Sequence, residues 1–517
     1  MAHYNYKKEQ QKIIDEAMVK LPQEWAKKAR KKWQQIAKNS VHDANVYLLD
    51  LMDAIDCAID IGASDDDLIN LSVQMVSRVR VMKSEHLTRQ EKSLIQSTAE
   101  FYEALEALCV EYGVRYPNEH DRAQILARLT DAGFWLRRLR VVHAKQAEGA
   151  AIDAGMVHKH AAMYVSDDTL KRRQDALKRN AETLEGISLM NADTGEIIKL
   201  SQAAAAGMAN PYNRASELIT RTKGFQELSE KYGHHCVFLT ITCPSRMHAV
   251  RSKDGKPNPK YDGTKPDAAQ KYLVECWARA RAKLAREGVK FYGLRVVEPH
   301  HDGCPHWHAS IWYKNKSDIH AIRNAIKTHF LRGNGCDYGE RGAALNRLKF
   351  KICDARGAVG YMLKYILKNM KGLGIDGEKS DEGDISSEVG AGRVEAWAAT
   401  WRIRQFQQVG GHSVTVWREL RRVDETNVLP KFYEVWQSAQ KIADKRADYA
   451  AFIESMGGLD TRPKDAVFKV DYDFINGRGK YGETIIKKVL GVAGSWVYGF
   501  GVRSETIKTN RSEWVVL

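Results

Sequence analysis

The chain has 517 residues, 44% of them hydrophobic and 28% charged, with 80 Lys and Arg against 65 Asp and Glu, a net charge of +15. This is ordinary globular balance with room for two to four domains, and it excludes a wholly disordered chain. No uncharged apolar run reaches the ~18 residues of a membrane span, and the polar opening Met1–Lys8 leads into no apolar h-region, so a cytoplasmic protein without membrane contact is expected. The positive excess points to a polyanionic partner, with a scattered basic surface as the alternative. Eight cysteines without a Cys-x-x-Cys pair read as reduced core thiols.

Residues 1–160 read as helices, with apolar residues at three-to-four spacing over Ala44–Ile59 and Thr88–Leu108. The basic run Lys27–Lys32 fits a solvated helix face. From Arg137 to Arg179 there are ten Lys/Arg and five Asp/Glu. Ser166 is a candidate N-cap for a helix carrying Lys171, Arg172, Arg173, Lys178 and Arg179, dense enough for a phosphate-backbone role. Ile187–Leu189 and Ile197–Leu200 suggest a hairpin, and Pro211–Tyr232 a helix stopped by Gly233. Then Cys236–Thr242 has a buried-strand pattern, Ser252–Pro266 is a loop and Asp267–Arg286 a helix. Lys290–Glu298 and His306–Tyr313 are strands joined by a turn at Asp302-Gly303. Ser317–Leu331 is a helix, Leu348–Ile352 a strand and Ala358–Met370 a helix. The fold class expected is α+β, one sheet with flanking helices. Gly372–Gly392, with six acids and one Lys, reads as a mobile loop. Val394–Gln408 reads as helix, Val414–Trp417 as strand and Lys431–Met456 as helix. The tail from Val467 has no clear assignment.

The chemistry gathers in His306-Trp307-His308. Alternation puts both imidazoles on one strand face and Trp307 on the other. A hairpin sets Glu298 opposite the pair. Two imidazoles and a carboxylate leave positions on a divalent ion for phosphate oxygens, and this ligand set with hard substrates favours Mg²⁺ or Mn²⁺. His300 and His301 compete with Glu298 for the third position. Tyr361 and Tyr365 stand one turn apart on a helix face, beside Lys364 and Lys368. A tyrosine near its ordinary pKa of ~10 is a poor nucleophile, and nearby ammonium groups improve it. A structural zinc module built from His300, His301, Cys304, His306, His308 and Cys243 is a rival, as is a non-catalytic DNA-binding protein that uses only the basic surface.

Phe238-Leu239-Thr240-Ile241-Thr242, His306-Trp307-His308 and Tyr361-Met362-Leu363-Lys364-Tyr365 resemble, in order, the three motifs of HUH endonucleases. The closer resemblance is to the phage replication gene A proteins, two-tyrosine rolling-circle initiators, over roughly residues 130–425. It implies an HUH-type catalytic domain over 206–372, preceded by a mainly helical region, 1–205, with basic DNA-binding helices. An acidic, Gly-rich loop, 373–392, and a C-terminal extension, 393–517, follow. It further implies a metal held by His306, His308 and Glu298, nucleophilic Tyr361 and Tyr365 assisted by Lys364, and nicking of phage origin DNA in the bacterial host's cytoplasm. The link formed is a 5′-phosphotyrosine, with a free 3′-OH. Thr240, Thr242, Arg246, Lys368, Arg172 and Arg173 are the expected DNA contacts, and a host helicase and polymerase the expected partners.

Overall fold

The computed structural model describes residues 14–15, 18–19, 21–55, 58–88, 94–118, 121–331, 346–368, 379–380, 383–441, 447–477, 479–483, 485–498 and 501–517. The chain divides into two compact units, one of residues 1–157 with 476–486, the other of 158–475 with 487–517. The segment 158–205, expected with the N-terminal helices, thus clusters with the sheet.

The first unit holds α1 (Gln23–Ala37), α2 (Val41–Ile55), α3 (Asp65–Thr88), α4 (Leu94–Glu111), α5 (Arg122–Leu129) and α6 (Ala132–Asp153). Their apolar stripes bury Leu68, Met75, Val79, Phe101, Leu105, Phe134, Trp135 and Leu139 in one core. Asp121 and Asp131 cap α5 and α6 by accepting from the Ala123 and Gly133 amides. Asp131 also accepts from Lys480 Nζ (2.9 Å) and Tyr481 Oη (2.7 Å), which fixes the returning segment 476–486. The basic run behaves as a solvated face except at Lys32. Its ammonium turns inward to donate to the Ala154 carbonyl at 2.6 Å, and burial lowers its pKa to about 8.

The second unit is α+β. In chain order it runs α7 (Asp167–Gly186), β1 (Ser188–Asn191), β2 (Ile197–Lys199), α8 (Leu200–Ala206), α9 (Pro211–Tyr232), β3 (His235–Thr242), α10 (Pro266–Arg286), β4 (Phe291–Pro299), β5 (Pro305–Tyr313), α11 (Asp318–Leu331), β6 (Leu348–Cys353) and α12 (Ala355–Lys368). There follow β7 (Lys379–Ser380), β8 (Gly383–Ser386), α13 (Ser387–Trp401), β9 (Phe406–Val409), α14 (Val414–Leu420), α15 (Tyr433–Ala439), α16 (Tyr449–Ser455), β10 (Phe468–Asn476), β11 (Ile485–Tyr498), β12 (Gly501–Lys508) and β13 (Trp514–Val516). The main sheet has the order β6-β3-β5-β4-β9, and every adjacent pair is antiparallel. One face buries Phe238, Leu294 and Val296 against Met362 and Ile366 of α12 and Ala215 and Leu218 of α9. Trp307 emerges on the other face, within 6.4 Å of Trp277 on α10 and of Phe330 on α11, centroid to centroid. Ser166 caps α7 as expected, through the Thr169 amide. Gly233 ends α9 at φ +63°, a left-handed conformation that costs glycine nothing.

Several expectations fail. Val414–Trp417 is helix, not strand: Ser413 caps it by accepting from the Thr415 amide, and Val416, Trp417 and Leu420 bury at helical spacing, so context overrides the β-branched run. Val394–Gln408 is not one helix: α13 stops at Trp401, and Phe406–Val409 adds an edge strand to the main sheet by pairing with β4. Of the expected loop Gly372–Gly392, residues 372–378 and 381–382 lie outside the described residues, and the remainder is β7, β8 and the start of α13. Lys431–Met456 is broken into α15 and α16, the second capped by Asp448. The tail forms the meander β10-β11-β12, and β13 extends the small β1-β2 hairpin.

Candidate active site

The register of β4 and β5 sets Glu298 opposite His306, and that of β3 and β5 sets Thr242 opposite His306 and Thr240 opposite His308. Antiparallel partners share a face, so all five side chains project from the same side of the sheet. His306 Nε2 and His308 Nε2 lie 3.0 Å apart, and Glu298 Oε2 lies 3.7 and 3.5 Å from them. Among the described residues this is the group of three carboxylate, imidazole or thiol ligands gathered on one point, with ligand atoms within 4.8 Å of one another. It fits a divalent cation. Two imidazole nitrogens that turn toward each other beside a carboxylate at side-chain exposures of 6–9% have a cation as their natural common partner. No cysteine belongs to the group. Cys243 instead donates to the Pro305 carbonyl, and burial raises the Cys304 thiol.

Thr240, expected at the DNA backbone, lies 3.1 Å through its hydroxyl from His308 Nδ1. This fixes the ring and turns its Nε2 to the cluster, as outer partners of metal-binding histidines do. Trp307, bulky for the middle of the motif, is accommodated on the far face. It donates from Nε1 to Gln270 at 2.9 Å and lies under the Arg295 guanidinium at 4.0 Å. Burial lowers the Arg295 pKa to about 10.

α12 crosses the histidine face. Its Tyr365 ring stacks on His308, centroids 4.0 Å apart at 16°, and both tyrosines pack on Phe238, Tyr361 at 5.0 Å and Tyr365 at 6.0 Å. Tyr361 Oη accepts from Lys351 Nζ. Sequence reasoning missed Lys349 and Lys351. They alternate along β6 opposite Thr240 and Phe238, hence on the site's face. The Lys-Phe-Lys period inside a strand was the available signal. Lys364 lies on the helix between the tyrosines, partly buried; Lys368 closes α12, and its side chain lies outside the described residues.

A cleft of about 1060 Å³ opens over the cluster. Glu298, His306, His308 and Tyr365 line it, together with the cations Arg251, Lys253, Lys260, Arg347 and Lys349. Thr240 and Thr242, two of the expected DNA contacts, line it as well. Three of the expected arginines have protein partners. Arg246 pairs with Asp262, Arg172 donates to Thr169 Oγ1 at 3.3 Å, and Arg173 forks onto Glu395 of α13. The Arg173 pair joins α7 to α13.

The turn between β4 and β5 carries His300, His301 and Asp302, with Gly303 at φ +81°. His300 packs its ring 4.1 Å from that of His306, so it neighbours the three-residue group without belonging to it. His248, a further cleft residue that the sequence did not single out, lies with Nδ1 3.0 Å from Asp302 Oδ2. Burial works to raise the Asp302 carboxyl. The imidazole of His248, its hydrogen bond, and the rings of His300 and His301 outweigh this and hold it well below the usual carboxylate range. No described helix is long and apolar enough to cross a membrane.

Residues 66–373 match the family described as bacteriophage replication gene A protein (GPA). The replication protein of Haemophilus phage HP1 is 36% identical over 74% of this chain and 48% of its own length. The replication gene A protein of Escherichia phage 186 is 33% identical over 78% of this chain and 57% of its own. A probable replication endonuclease from a prophage-like region of Salmonella typhi is 31% identical over 62% of this chain and 38% of its own. The chain thus spans about half the length of the curated relatives it matches. No solved structure matches it.

Proposed function

Because the chain belongs to the bacteriophage replication gene A protein family, we propose that it initiates rolling-circle replication as an HUH-type, metal-dependent endonuclease of single-stranded origin DNA. The observation that carries the reading is the stacking of Tyr365 on His308 inside the Glu298–His306–His308 cluster. A Mg²⁺ or Mn²⁺ ion held by these three residues would draw charge from a non-bridging phosphate oxygen of the scissile bond.

The chain's own residues do the rest. Thr240 orients His308. Lys349, Arg347 and the loop cations Arg251, Lys253 and Lys260 hold the strand by its phosphates. Tyr361 or Tyr365 attacks phosphorus; Lys351 donates a hydrogen bond to the Tyr361 oxygen, and Lys364 and Lys368 stand at positions on the same helix face. One phosphodiester replaces another, giving a 5′-phosphotyrosyl link and a 3′-OH that a host polymerase can extend behind a helicase. The second tyrosine cuts the regenerated origin, and the waiting 3′-OH resolves the first link. Thus joining needs no ATP. The helical region assists DNA binding and residues 206–372 carry the catalysis; the compact units themselves divide at 157/158, and 476–486 belongs with the first.

The test is incubation with supercoiled origin DNA and Mg²⁺ or Mn²⁺, then denaturing electrophoresis and peptide mapping of the adduct. A phosphotyrosine within Ala355–Lys368 is expected; one found only elsewhere would overturn the assignment.

A further inference from the structure

The transesterification leaves one chemical demand unmet by the tyrosines and the ligand cluster. The departing 3′ oxygen of a deoxyribose is a strongly basic leaving group, and a proton delivered to it raises the rate by a factor of ~10²–10⁴. The cleft holds one side chain built for that delivery, outside the groups used above.

His248 lines the same cleft as the ligand cluster and Tyr365. Its Nδ1 lies 3.0 Å from Asp302 Oδ2. An ionised carboxylate accepts only, so this contact makes Nδ1 the donor and leaves Nε2 as the nitrogen that exchanges a proton with substrate. Both members are held. Asp302 has a fully buried carboxylate, which also accepts from the Cys304 amide at 3.1 Å. The His248 carbonyl accepts from Asn258 Nδ2 at 2.9 Å, and Asn258 also grips the Ser245 carbonyl at 2.8 Å. The His300 ring neighbours both His248 and the cluster, its centroid 5.2 Å from that of His248 and 4.1 Å from that of His306. A buried carboxylate that orients an imidazole at the edge of a phosphate cleft is the arrangement of an acid–base dyad.

Resting on the endonuclease reading, we propose that His248, positioned by Asp302, is the proton donor to the 3′ oxygen during cleavage and the proton acceptor from the 3′-OH during joining. In cleavage the tyrosine Oη–P bond forms and the P–O3′ bond breaks. The phenol proton passes to solvent, and the Nε2 proton of His248 caps the departing oxygen. In joining, the 3′-OH gives its proton to His248 as P–O3′ re-forms, and the leaving tyrosine takes one from solvent. Asp302 touches no reacting atom and acts through His248.

The experiment compares origin oligonucleotides with an ordinary scissile 3′ oxygen or a bridging 3′ sulfur, in Mg²⁺, for the full chain and its H248A and D302N variants. A thiolate leaves without a proton. H248A should therefore form the covalent adduct ~10²-fold more slowly on the oxygen substrate, and within a few-fold of wild type on the sulfur substrate. D302N should show the same pattern at smaller amplitude. A purely structural role predicts equal slowing on both substrates, which would overturn the assignment, as would undiminished cleavage of the oxygen substrate by H248A. Should H248A fail to fold, H248Q, which keeps an amide for Asp302, carries the same comparison. Wild-type adduct formation separates the two levels. If wild type forms no adduct on either substrate, the tyrosine reading falls and this inference with it. If wild type reacts and the variants slow equally on both, only His248 is misassigned.

Discussion

Thr240→Val tests whether the sheet register builds the ligand cluster. The substitution keeps the branched shape on β3 and removes the hydroxyl 3.1 Å from His308 Nδ1. A neutral hydrogen bond at a partly buried site is worth ~0.5–1.5 kcal/mol, and loss of an outer partner of a ligating histidine typically costs 10–100-fold in metal affinity. A hydroxyl orients the ring less firmly than a carboxylate does, and the stacked Tyr365 ring restrains it as well, so the lower end applies. Mn²⁺ affinity should fall about tenfold, or ~1.4 kcal/mol. Overall stability should fall by no more than the ~0.5–1.5 kcal/mol of the lost hydrogen bond, part of it offset because valine suits a strand at least as well as threonine. The assay is an Mn²⁺ titration followed by electron paramagnetic resonance, beside a thermal melt. Thr242→Val is the internal comparison. It sits opposite His306 on the same face, but no described hydrogen bond joins its side chain to that ring, so less than a twofold change is expected. Equal affinity for wild type and Thr240→Val, with matching melts, would refute the argument that this hydroxyl fixes the ligand.

Glu298→Gln keeps the side-chain shape and loses the charge, so the Mn²⁺ concentration for half-maximal nicking should rise at least tenfold; a larger shift for His300→Ala than for Glu298→Gln would show that the turn supplies the third ligand. Single Tyr361→Phe and Tyr365→Phe variants should each cut an origin once and fail in repeated rounds, and the double variant should form no adduct in a denaturing gel. Glu217, with 2% side-chain exposure, holds Arg221 at 3.1 Å and Arg418 at 2.7 Å, so Glu217→Ala should cost ~3–5 kcal/mol, read as a lower urea midpoint at unchanged slope. Affinity for single-stranded DNA should fall with salt at a log–log slope of about −0.7 per phosphate neutralised; a flat dependence would remove the cleft cations from the reading.

What the sequence made legible follows from period and loop length. His306 and His308 share a face because side chains alternate in a strand. Glu298 meets them because Glu298 and His306 are equidistant from Asp302 in the turn. The tyrosine helix followed from its apolar spacing. The pairings that failed to show are non-local or override local preference. Phe406–Val409 is four residues with no alternating pattern, made a strand by the open edge of β4. Trp514–Val516 becomes a strand by pairing with Leu189 and its neighbours, far away in the chain. His248 and Asp302 are 54 residues apart, and no spacing rule joins a loop to a turn at that distance.

The strand that carries the histidines also shows why one large residue belongs between them. A slip of β5 by one residue against its neighbours would turn His306 and His308 to the helices α10 and α11 and bring Trp307 to the cleft. Four features oppose that slip. Trp307 is 1% exposed, so its exposure would forfeit most of a tryptophan's burial, ~2–3 kcal/mol or more. Its Nε1 has a buried acceptor in Gln270, and its ring lies beneath a guanidinium that is itself buried. On the other face Thr240 meets His308 only in the observed register. The bulk of Trp307 is therefore part of the ligand geometry: it sets the roll of the strand, and alternation converts that roll into two imidazoles aimed at one point.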